Sequence, residues 1–190
     1  ATGLVWRRAH GRNLSAAWPQ ERAVLSACAA AGVYPRAAFE AAGGFDEDFF
    51  AYMEDVDLDF RLQLLGYPCY YLPKAVVRHA GSGSTAPRSD LVIFYGHRNL
   101  VWTFIKDMPG WLFWTMLLPH LLVNLLYLLV ALFFPFRRAM VRAKWEAIKG
   151  LPTAWKKRRA VQSRRKVSVR TIAGLLEWNP FAPLIKLTYR

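Results

Sequence analysis

A chain of 190 residues is long enough to bury a sizeable core. An apolar share of 54%, eight Trp and a net charge of +13 point to a membrane surface rather than to a freely soluble domain. The two cysteines, Cys28 and Cys69, lack metal-ligand spacing and read as small core residues of a protein kept in a reducing compartment.

No secretory signal and no repeat is visible. Residues 1–22 are basic and irregular, with a strand-like patch at residues 4–6. Residues 23–34 are small and apolar without a polar break, which predicts a buried strand. Pro35 opens a short helix, Pro being tolerated in a first turn. Gly43-Gly44 then allows a tight turn with positive φ.

The next stretch organises the rest. Residues 46–59 hold seven carboxylates: Asp46, Glu47, Asp48, Glu54, Asp55, Asp57 and Asp59. The whole chain has thirteen, against twenty-six Lys and Arg. Phe45, Phe49, Phe50, Tyr52, Met53 and Phe60 are interleaved with them, so desolvation and mutual repulsion can shift their pKa values. Residues 45–53 read as an aromatic-rich loop. A helix begins at Glu54, with Val56, Phe60 and Leu64 in one row and Leu58, Leu62 and Leu65 in the next, and Gly66 stops it. Glu54 and Asp55 thus sit at a helix N-terminus, where free N–H groups and the macrodipole hold negative charge. Asp57 and Arg61 are four apart and can pair, while Asp55 and Asp59 share another face. An acid-capped helix with no further role is the plain alternative.

Residues 67–72 read as a strand, Pro73-Lys74 as a turn, residues 75–79 as a second strand, and residues 81–85 as a flexible Gly-Ser loop. Residues 89–108 have helical spacing. Residues 111–136 carry no formal charge, with His120 and Asn124 the markedly polar side chains; at about 1.5 Å per residue a helix of this length could cross a bilayer. Residues 137–170 hold thirteen Lys or Arg and one acid, Glu146, in basic amphipathic helices with Trp145 and Trp155 as interface anchors. Basic residues on the far side of a single crossing would oppose the positive-inside tendency, which favours a monotopic or re-entrant element, with Pro119 as a kink site, over an ordinary transmembrane helix.

The order Gly43-Gly44-Phe45-Asp46-Glu47, then Glu54-Asp55 and Asp57-Leu58 at a helix start, Arg61, Gly66-Tyr67, Pro73 and His79 resembles the C-terminal half of a family 2 glycosyltransferase domain, and within it the bacterial rhamnosyltransferase-like branch. The likeness is strong over residues 27–85 and weaker through His97-Arg98-Asn99 and Lys106-Asp107-Met108-Pro109. It implies an α/β fold: the C-terminal part of a GT-A (Rossmann-like) domain over residues 1–88, a connecting helix over 89–110, a membrane-associated helix over 111–136 and a basic helical tail over 137–190. It implies inverting, non-processive transfer of a sugar from a nucleotide-sugar donor to a saccharide or lipid-linked acceptor in cell-envelope polysaccharide synthesis, at the cytoplasmic face of a bacterial inner membrane. The Gln-x-x-Arg-Trp signature of processive synthases is not found.

By this resemblance Asp55 is the general base and Glu54 supports it. Gly44, Phe45, Asp46, Asp57, Arg61, Ser82 and Ser84 line the substrates. His79 lies against the diphosphate and helps hold a divalent metal, Mn²⁺ or Mg²⁺. The nucleotide-binding half, with its strand-borne metal aspartates, does not appear, so the chain reads as a C-terminal fragment, inactive alone. An EF-hand reading of residues 55–66 fails, because Phe60 and Gly66 stand where Gly and Glu are needed. The rival function is a non-catalytic basic module at a membrane surface or on nucleic acid; the long uncharged run argues against nucleic acid, since basic residues beside it are explained by anionic lipid.

Overall fold

The computed structural model describes residues 2–5, 20–78 and 89–179. The elements are β1 (Arg22–Val24), α1 (Arg36–Ala42), α2 (Glu54–Leu64), β2 (Cys69–Tyr71), α3 (Asp90–Asp107), α4 (Gly110–Ala131), α5 (Arg137–Lys149), α6 (Leu151–Ser163) and α7 (Val169–Leu175). Single 3₁₀ turns stand at Ala29–Ala31 and Glu47–Phe49.

α3 is the axis of the helical layer. Its N-terminus is capped by Ser89, whose Oγ accepts from the Val92 N–H at 3.4 Å. Met108-Pro109 turns the chain, and α4 runs back along α3: Phe104 packs on Phe113 and on His120, and His97 packs on Tyr127. α5 and α6 lie on α3 as well. Trp102 Nε1 donates to the Ala147 carbonyl at 3.0 Å, and Arg158 donates to the carbonyls of Ile105 and Met108.

The two apolar rows of α2 serve two cores. Phe60 and Leu64 join Phe104, Met108, Leu112, Phe113, Met116 and Ile172. Leu58 and Leu62 pack on Ala38 and Ala42 of α1. Gly43 and Gly66 end α1 and α2 at φ of 84° and 91°, as the sequence predicts. The Lys166 N–H donates to the Leu64 carbonyl at 2.8 Å, tying the chain after α6 to the end of α2.

The α/β expectation is met only in part. Among the described residues the sheet is one antiparallel pair, β1 with β2, in the register Arg22 to Tyr71 and Val24 to Cys69, and helices dominate. The buried strand expected over residues 23–34 shrinks to three residues, because the apolar run has one short partner and then turns at Ala29. The strand expected at 75–79 does not form over residues 75–78, which are exposed and have no neighbouring ladder; His79 lies outside the described residues. Residues 4–5 form no strand, and Trp6 lies outside the described residues. The connecting helix stops at Asp107 rather than continuing to 110, and the apolar helix ends at Ala131, followed by turns before α5. Pro119 sits inside α4 without ending it.

Candidate active site

The loop before α2 is held in a costly conformation. Phe50, Tyr52 and Met53 all have positive φ, at 60°, 63° and 71°. Non-glycine residues persist there only when their surroundings over-determine them. Asn99 of α3, fully buried, does so: its Nδ2 lies 2.9, 2.9 and 2.7 Å from the carbonyls of Phe49, Ala51 and Tyr52. Arg98 donates to the carbonyls of Asp48 and Phe49 while its guanidinium stacks on Tyr95 and Trp102. Buried Phe49 is the loop's apolar anchor, with the Trp102 ring at its edge. Residue Met53 then sets the direction in which α2 starts.

The carboxylates divide into three kinds. Asp46, Asp48 and Asp57 are neutralised by cations. Lys106 Nζ lies 2.6 Å from Asp46 Oδ2, and Lys157 Nζ of α6 lies 2.5 Å from Asp46 Oδ1 and 2.6 Å from Asp48 Oδ2. Burial pushes the Asp46 carboxyl up, but Lys106 and Lys157 outweigh it and hold it at about 2. Asp57 is fully buried, ion-paired with Lys106, and accepts from Arg61 Nε and NH2 at 3.0 and 2.7 Å. The pairing expected between Asp57 and Arg61 is therefore present. Arg61 also donates to the carbonyls of Ala42 and Gly44, so this pair fixes the Gly43-Gly44 turn. Beside them Asp107 is fully buried, and its carboxyl is pushed well above the usual range by burial and then by the charge of Asp57.

The second kind grips backbone. Asp59 Oδ2 accepts from the Ala27 N–H at 2.7 Å and from Ser26 Oγ at 2.8 Å; burial, opposed by these bonds, still leaves its pKa raised. Asp55 accepts from the Ala29 N–H at 3.2 Å and, through its other oxygen, from Val56 N–H at 2.8 Å. Together they hold residues 26–29 along α2.

Glu54 is the third kind. It is half-buried, forms no ion pair among the described residues, and its Oε2 is buried without a hydrogen-bond partner. Burial, and then the charge of Asp55, raise its pKa. The first turn of α2 therefore presents two adjacent carboxyl groups with opposed settings. Asp55 spends both oxygens on backbone N–H groups, whereas desolvation favours the neutral form of Glu54.

Of the residues expected to line the substrates, Gly44, Phe45 and Asp46 belong to the turn and loop beside α2, and Phe45 is exposed. Asp57 and Arg61 lie inside the fold. His79, Ser82 and Ser84 lie outside the described residues. The described residues do not fit a divalent cation: no three His, Cys, Asp or Glu side chains among them are grouped to hold one, and Asp46, Asp48 and Asp57 are already matched by Lys and Arg. Sequence reasoning passed over Asn99, Lys106, Asp107 and Lys157. The first three fall in the weaker extension of the resemblance; Lys157 is one cation among thirteen.

Over 118 residues the chain is 38% identical to the N-acetylglucosaminyl-diphospho-decaprenol L-rhamnosyltransferase of Mycobacterium tuberculosis, in strain CDC 1551 / Oshkosh and equally in strain ATCC 25618 / H37Rv. The chain is related to a sugar-transferring enzyme. The match takes in 56% of this chain and spans 38% of the length of those relatives. No protein-family profile matches the chain, and no solved structure matches it.

Proposed function

We propose that this chain carries the acceptor side of a family 2, GT-A-type glycosyltransferase that moves a sugar, L-rhamnose by analogy with the relatives, from a nucleotide-sugar donor to a lipid-linked saccharide with inversion. The observation that carries the reading is the paired carboxyls Glu54 and Asp55, set at a helix start by a strained loop, in a chain related to a rhamnosyltransferase. Inversion needs a base to accept the proton of the acceptor hydroxyl as its oxygen attacks the anomeric carbon and the nucleoside diphosphate leaves. Asp55, each of whose oxygens accepts a backbone N–H, fills that role. Glu54 stands beside it, its pKa raised by burial. A divalent cation, if bound, would stabilise the leaving diphosphate; the residues described here contribute the acceptor side.

The unpartnered Oε2 of Glu54 favours a second assignment, in which Glu54 takes the proton and Asp55 positions residues 26–29.

The test uses the protein expressed from its complete reading frame in membranes, given nucleotide-activated L-rhamnose and N-acetylglucosaminyl-diphospho-decaprenol. Formation of the rhamnosylated lipid, lost in Asp55→Asn, is the expected result. No product above that of control membranes would overturn the reading.

A further inference from the structure

α4 has two unlike sides. Its inner stripe, Leu112, Met116, His120, Asn124 and Ala131, is buried on the helical layer. Its two polar members are satisfied there: His120 Nδ1 lies 3.1 Å from the Thr2 carbonyl, and Asn124 Oδ1 accepts from Lys144 Nζ of α5 at 2.5 Å. Its outer side is apolar and open, with Trp114, Leu118, Leu122, Leu126 and Leu129 between 49% and 66% exposed. The open surface continues onto Trp145 and Ile148 of α5, each 59% exposed. Between α4 and α6 it deepens into a groove walled by Phe113, Trp114, Leu117, Pro152 and Trp155, with Lys156 and Arg159 at its edge. At the other end of α4, exposed Arg137 and Arg138 follow exposed Phe133 and Phe134 across Pro135 and Phe136.

We propose that this face docks on the surface of an anionic lipid bilayer, with α4 lying in the plane of the interface and not crossing it. Charge and aromatic placement choose the occupant. The apolar face has cations at both ends, Glu146 is the sole acid in residues 111–170, and Trp111, Trp114, Trp145 and Trp155 are exposed around it, the arrangement that suits headgroup phosphates above acyl chains. Packing sets the orientation. α4 is flanked by α3 and α5 over its length, through Phe104 with His120, His97 with Tyr127, and Lys144 with Asn124. A crossing α4 would draw Lys144, bonded to its Asn124, and Arg98, next to the His97 that packs on its Tyr127, below the headgroups, where each charge is costly. Lying flat, α4 gives its outer face to lipid and leaves those charges on the water side.

The test needs no substrate, so it is independent of the sugar-transfer reading. The full chain is sedimented with phosphatidylcholine vesicles with and without about 30% phosphatidylglycerol. Binding that requires phosphatidylglycerol and weakens in ~0.5 M salt is expected. Leu122→Asp with Leu126→Asp, both exposed, should weaken binding at least about tenfold, as loss of the apolar contact requires, without lowering the melting temperature. Fluorophores on single cysteines at 118, 122 and 129, with Cys28 and Cys69 replaced by Ser, should be quenched alike by shallow nitroxide lipids. Deep quenching at 118 and 122 with shallow quenching at 129 would show a crossing helix and overturn the proposal. So would absence of vesicle binding, or dimerisation through this face without lipid that Leu122→Asp abolishes.

Discussion

Lys157 Nζ stands 2.5 Å from Asp46 Oδ1, across 111 residues of sequence. The basic tail is therefore not simply a lipid-facing run of charge, because one of its cations closes the loop that precedes α2. Lys157→Met removes that cation and leaves Asp48 without its partner. Lys157 is about one-third exposed, so the loss is modest: about 1 kcal/mol, or roughly 2–4 °C in melting temperature for a chain of this size. Lys156→Met next to it, exposed and on no carboxylate in the structure, should leave the melt unchanged. Differential scanning calorimetry of the pair checks this.

Asn99→Ala tests the clamp. The Ala51 and Tyr52 carbonyls lose their Asn99 donor, the Phe49 carbonyl keeps Arg98, and Phe50, Tyr52 and Met53 keep positive φ. A cost of about 1–3 kcal/mol follows from leaving buried acceptors unmatched. Hydrogen exchange should quicken at residues 48–53 more than in α5. Uniform quickening in both would mean that Asn99 supports the whole layer and not the loop.

The acids of α2 should separate by kind. Asp57→Asn strips Arg61 and Lys106 of a buried partner and should cost about 3–5 kcal/mol of stability. Asp55→Asn should lower turnover of the complete enzyme by about two to four orders of magnitude, the usual worth of a positioned base, with little change in its melt. Glu54→Gln, which retains shape but removes the raised-pKa carboxyl, should shift the acid limb of the rate profile. If Glu54→Gln, and not Asp55→Asn, abolishes turnover, Glu54 is the base.

Acid should destabilise the fold in two steps. Burial, and then Lys144, hold His97 down at about 4, below its ordinary 6.5. The folded form thus binds fewer protons than the unfolded one, and stability falls as pH drops from 6.5 toward 4, by up to ~3 kcal/mol. Asp46, held at about 2, contributes stability that is present above 3.8 and lost as pH falls through 2. Urea midpoints between pH 7 and pH 4 should fall in the native chain and fall less steeply in His97→Phe, because His120, also held at about 4 by burial, still contributes.

Gly150 joins α5 to α6 at φ of −80°, where any residue is tolerated, so its requirement is space. A Cβ there would run into the Trp102 indole, whose Nε1 is committed to the Ala147 carbonyl. Gly150→Ala should cost about 1–3 kcal/mol by overpacking. Gly174→Ala, with open space around it, should cost nothing measurable by chemical denaturation.

Local signals carried well from sequence to structure. Glu54 and Gly66 bracket α2 as the spacing predicts, Ser89 caps α3, and Asp57 pairs with Arg61 one turn away. The strands were legible in part: β2 falls inside the strand expected at 67–72, but an apolar run such as residues 23–34 reads as a buried strand whether or not a partner exists to complete it. Within the acidic stretch, four-residue spacing separated faces but could not say what each face meets. Asp57 meets Lys106 and Asp59 meets Ala27, and only tertiary structure brings those partners in.

The long separation between Asp46 and Lys157 has a consequence for biosynthesis. At about 5–20 residues per second a ribosome needs roughly 6–20 s to extend the chain from the first to the second. For that interval the loop has emerged without its last counter-ion, and the whole of α4 is made before α6 arrives to complete it. Maturation of the site therefore cannot finish co-translationally until the most apolar helix has left the exit tunnel, so whatever receives that helix in the cell does so before the carboxylates below it are locked in place.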